Sequence, residues 1–60
     1  MTTVILNGKE IDYAAAVELM DDEIRETIHM FIYEDGNEQN FLNDYCAQHK
    51  FKYGVDFQVN

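Results

Sequence analysis

The stretch that most constrains this chain runs from Glu18 to Glu26, where five acids and one base surround Leu19, Met20 and Ile24. Those three apolar side chains must turn inward if the chain is to fold, because burial of apolar surface is the main force available to it. The carboxylates are then left pointing outward. One short segment therefore has to help nucleate a core and present a dense anionic face.

Little else is available to hold such a segment in place. Sixty residues make one small domain, spanning 1–60. A domain of this size buries only about 60% of its unfolded surface, and its core supplies roughly 3–5 kcal/mol without a covalent or metal staple. Cys46 is the single cysteine, so no internal disulfide is possible and nothing points to an oxidising compartment. A hydrophobic fraction of 47% with eight aromatic residues nevertheless marks a globular chain rather than a disordered one.

Read in order, Thr2 to Leu6 is β-branched and apolar, which predicts a strand. Asn7-Gly8 follows as a hairpin turn, since both residues tolerate positive φ, and Lys9 to Ile11 forms a short return strand. Asp12 is placed to cap a first helix, whose inner face carries Tyr13, Ala16, Val17 and Met20. Asp21 and Asp22 break that helix and start a second, from about 22 to 33, with Ile24, Ile28, Phe31 and Ile32 inside. Glu34 to Asn37 reads as a turn. Asn37 caps a third helix from Glu38 to about Lys50 that buries Phe41, Leu42, Tyr45 and Cys46, with His49 partly buried. Gly54 ends the helical stretch. Val55 to Val59 alternates apolar and polar residues, predicting a last strand that returns to pair with the first. The expected fold class is α+β: an N-terminal β-hairpin, three helices and a C-terminal strand.

The residues offer no catalytic constellation. Asp21, Asp22 and Glu23 supply carboxylates, but acid–base catalysis needs them in a cleft with separated pKa values. The chain has no serine, and Cys46 lies on an inward stripe. Cys46 and His49 sit at helical spacing, yet His29 is the one further imidazole or thiol, short of the usual four zinc ligands. The Glu34–Glu38 loop does not fit the twelve-residue calcium pattern. The expectation is a protein that is not an enzyme and takes no metal or cofactor.

Charge is the remaining signal. A net charge of −8 disfavours direct nucleic-acid binding, because phosphates would be repelled, and disfavours anionic membranes. No apolar run reaches a membrane span and no leader pattern is present, so a cytoplasmic protein is expected. From Glu10 to Asp44 eleven acids face one base. Glu18 and Asp22, Asp22 and Glu26, and Glu23 and Glu26 stand three or four positions apart, where like charges cost a few tenths of a kcal/mol per pair. Such spacing is comparable with that of successive phosphates, so the face can imitate DNA toward a basic protein surface. Plain solubility, which also keeps a small protein monomeric, accounts for the same charge.

A resemblance adds to this reading. The runs Asn7-Gly8-Lys9-Glu10-Ile11-Asp12, Ala16 to Ile24, Glu38 to Leu42 and Tyr45 to His49 resemble those of very small acidic proteins carried by phages and other mobile elements of bacteria. Among these the chain is most similar to anti-CRISPR proteins that inhibit type I systems, including type I-C. The resemblance implies an inhibitor that binds the RNA-guided Cascade complex in the bacterial cytoplasm and covers the basic surface that takes target DNA or its PAM. The expected contact residues are Glu18, Asp21, Asp22, Glu23 and Glu26, with Tyr33, Glu34, Asp35 and Glu38 as a second patch. Two other classes stay open: an anti-restriction or antitoxin-like protein neutralising a different basic partner, and an assembly module associating through Phe51 and Tyr53.

Overall fold

The Asn7-Gly8 turn sets the geometry of the N-terminus. Both residues take positive φ, 54° and 78°, the two-residue hairpin conformation that matches the strand twist. In the computed structural model, which describes residues 2–31 and 36–59 (of residue 31 the backbone alone), the turn joins β1 (Thr3–Leu6) to β2 (Lys9–Asp12). The strands pair antiparallel, with Leu6 opposite Lys9, Ile5 opposite Glu10 and Val4 opposite Ile11. Alternation then puts Val4, Leu6 and Ile11 on the buried face.

Three helices follow: α1 (Tyr13–Leu19), α2 (Asp22–Phe31) and α3 (Glu38–Tyr53). α1 lies against β2, while α3 packs on both α2 and β1. One core joins them, in which Ala16, Ile28, Leu42 and Tyr45 are fully buried. Asn37 caps α3 as expected, its side chain accepting the Asn40 N–H at 3.0 Å. Gly54 ends that helix at φ 75°, its N–H donating to the Lys50 carbonyl at 2.8 Å. The helix runs one turn past the predicted end, to Tyr53.

Three expectations need correction. Asp12 occupies the N-cap position of α1 but makes no side-chain capping bond; the Tyr13 N–H donates instead to the Thr2 carbonyl at 2.9 Å. Leu19, expected inside, is 59% exposed, because α1 ends there and Met20 alone turns into the core. The C-terminal segment does not pair with β1, and the sheet has two strands among the described residues. The inner-stripe assignments of Phe31 and Ile32 lie outside the side chains described.

The edge of β1 shows why the tail adds no strand. In a two-residue hairpin the pair next to the turn is hydrogen-bonded across the strands, so the next pair turns its N–H and C=O outward. That places the backbone polar groups of Ile5 on the open edge. The Gln39 side-chain amide occupies them both, accepting from the Ile5 N–H at 2.7 Å and donating to the Ile5 carbonyl at 2.9 Å. Asn43, one turn along α3, holds the amide in register by accepting from its Nε2 at 3.1 Å. A side chain thus takes the place of a third strand.

The tail docks by other means. Phe57 is buried and meets Tyr45 edge-on, with ring centroids 4.7 Å apart. The Phe57 carbonyl accepts from Asn7 Nδ2 at 3.3 Å, and His49 donates through Nδ1–H to the Val55 carbonyl at 3.0 Å. The partner being a carbonyl, this nitrogen carries the proton.

Two outcomes test this arrangement. Gln39→Ala lowers stability by about 1 kcal/mol and raises the exchange rate of the Ile5 amide selectively, read by hydrogen exchange. Phe57→Ala costs about 3–5 kcal/mol, comparable to the whole stability of such a domain, so circular dichroism at 37 °C reports a largely unfolded chain.

Candidate functional site

The acidic segment folds as a corner between α1 and α2. Met20 leaves the helix with ψ 145°, and Asp21 restarts it. The Asp21 Oδ1 accepts from the N–H groups of Glu23 and Ile24 at 2.9 and 3.1 Å, the bonds of an N-cap. Asp22 and Glu23 occupy the first turn of α2, where the helix dipole favours negative charge. Helix initiation is thus one sufficient reason for three of the acids.

Asp21 differs from its neighbours in what else it holds. Its backbone N–H donates to the Tyr45 hydroxyl at 2.7 Å. Its Oδ2 accepts a hydrogen bond from the Tyr53 hydroxyl and lies 3.5 Å from Lys52 Nζ. The Tyr53 bond first, then the Ile24 N–H, hold its carboxyl down at about 2, against desolvation. The same bond pushes the Tyr53 hydroxyl above its ordinary value, and burial raises that of Tyr45. Nothing in the sequence alone marked Tyr45, Lys52 or Tyr53 as partners of Asp21, because they lie 24 to 32 positions away.

The other predicted residues stand further out. Asp22 is 84% exposed in its side chain and pairs with Arg25 at 3.1 Å. Glu23 is 83% exposed and lies 3.8 Å from Lys52 Nζ. Glu18 and Glu26 are exposed and make no ion pair among the described residues. Glu38 is exposed in the first turn of α3, separated in the chain from the corner. Tyr33, Glu34 and Asp35 lie outside the described residues. The structure therefore brings Asp21, Asp22 and Glu23 together at the start of α2, with Glu26 in its second turn and Glu18 in the last turn of α1. Across 18–26 and Lys52, five acids against two bases leave a charge of −3.

Elsewhere, Lys50 lies 3.6 Å from Asp56, and burial, then Asp56, push the Cys46 thiol up, which makes it a poor nucleophile. Among the described residues no three His, Cys, Asp or Glu side chains converge in a way that would hold a metal ion. No helix there is long and apolar enough to cross a membrane.

The pH dependence of stability follows from Asp21. Its pKa is lower folded than the ordinary 3.8, so its contribution is complete above about 4 and is lost as pH falls toward 2. Thermal unfolding followed from pH 5 to pH 2 is expected to show a falling midpoint. Asp21→Asn, which cannot ionise, lowers the midpoint at pH 7 and flattens that decline.

A family model described as anti-CRISPR protein AcrIC5 matches residues 4–57 of the chain. No curated protein matches it.

Proposed function

Because the chain belongs to the AcrIC5 family of anti-CRISPR proteins, we propose that it is an inhibitor which binds a type I-C Cascade and blocks its access to target DNA. The protein acts as one acidic domain and as a monomer, in the cytoplasm of the bacterium whose Cascade it meets. It does so by occupying a surface rather than by catalysis.

One observation carries the reading. Around the α1–α2 corner Glu18, at the end of α1, and Asp22, Glu23 and Glu26, in the first two turns of α2, are all exposed, and the internal bases compensate that charge only in part. A channel that takes a nucleic-acid backbone is lined with Lys and Arg and reads shape and charge before sequence. Carboxylates held about 5–6 Å apart on a helix satisfy those cations as phosphates do. Long-range attraction speeds the encounter and fades with salt. Asp21 serves the same surface from behind: its carboxylate is committed to Tyr53 and the helix start, so its part is to hold the corner. Tyr33, Glu34, Asp35 and Glu38 are further candidate contact residues, on the grounds of their chemistry alone.

The test is competition on purified type I-C Cascade. Wild-type protein and PAM-bearing target DNA are expected to exclude one another. Glu18→Lys combined with Glu26→Lys is expected to weaken inhibition at least about tenfold and flatten its salt dependence. Neither residue has an internal ion pair among the described residues, so the fold should survive. Inhibition unchanged by the double reversal, or simultaneous binding with DNA, overturns the mimic reading.

A further inference from the structure

Next to the acidic corner lies an open groove of about 680 Å³ between the three helices. α1 supplies Tyr13 and Val17, α2 supplies Met30, and Phe41 of α3 lies at its base. Phe41 is almost fully buried, Val17 is half-buried, and Met30 is 72% exposed. The lip of α2 is polar: Arg25, Glu26 and His29, with Arg25 already drawn to Asp22 at 3.1 Å. Glu26 and Met30 are one helical turn apart, as are Tyr13 and Val17, so each pair lines one side.

We propose that this groove receives an apolar side chain of the partner protein, one flanked by Lys or Arg, and that it is the anchor of the inhibitory contact. The inference rests on the function proposed above, whose basic partner it takes over. Charge complementarity selects the occupant. Asp22 cancels Arg25, Glu26 remains on the lip, and the chain as a whole carries −8. A second copy would bring the same −8 to the same place. A nucleic-acid strand would bring phosphates against carboxylates. A cationic protein segment with an apolar residue fits both the wall and the rim. Such an anchor, sealed by a rim of weaker contacts, is where binding energy concentrates in protein interfaces. Charge then sets the rate of encounter, and the groove sets how long the complex lasts.

The experiment measures affinity for type I-C Cascade across a salt series, for wild type, Met30→Ala, Met30→Leu and Glu26→Gln. Met30 is exposed, so its variants retain the fold, checked by their unfolding midpoints. Met30→Ala is expected to weaken binding about tenfold at every salt concentration, through faster dissociation, with an unchanged salt slope. Met30→Leu restores it, and Glu26→Gln flattens the slope. Met30→Ala binding as tightly as wild type, while acidic reversals abolish binding, overturns the groove and leaves DNA mimicry standing. Absence of wild-type binding to Cascade overturns both.

Discussion

Asp21 is the point at which the three helices are fastened together. Its main chain and side chain receive hydrogen bonds from the start of α2, its N–H reaches Tyr45 in the middle of α3, and its carboxylate takes the Tyr53 hydroxyl at the end of α3. Lys52 completes the neighbourhood. A chain with one cysteine and a small core has little else with which to fix the angle between α1 and α2. Several hydrogen bonds converging on one ionised group are stronger than the same bonds between neutral partners. The depressed pKa of that group is the same preference for the ionised form seen through its protons.

The same economy recurs at the other end of the molecule. The Gln39 amide closes the outer edge of β1 with two bonds to Ile5, where an unsatisfied edge would invite pairing with another chain. Asn7, already used as a turn residue, reaches back to hold the Phe57 carbonyl. The tail is thereby held by an aromatic plug, by the Asn7 and His49 hydrogen bonds and by the Lys50–Asp56 ion pair, and the hairpin gains a cover without a third strand.

These internal commitments change what the acidic surface means. A count of carboxylates overstates the free charge at the corner, since Lys52 and Arg25 lie among them. What remains is a modest anionic patch beside an apolar groove, the two features on which the proposed contact with a basic partner rests. Membership of the anti-CRISPR family agrees with a small inhibitor built on binding. The surface supplies the physical terms in which such binding would operate.

Sequence by itself determined the features governed by residues within a turn of one another. Asn7-Gly8, Asn37 and Gly54 act through their own φ angles or through an N–H three positions away, and each stands where its chemistry requires. The break at Asp21 was legible for the same reason, and so were the hairpin, the order of the helices and most of the core. Tertiary structure decided the rest, because it depends on groups far apart in the chain. Gln39 lies 34 positions from Ile5, and Tyr53 lies 32 from Asp21. Period-two alternation at Val55–Val59 therefore suggested a strand where the edge it needed was already taken. Leu19 looked buried until the end of α1 was placed. Asp21 read as a helix break and a surface contact acid, and only packing of α3 against the corner made it the fastening of the fold.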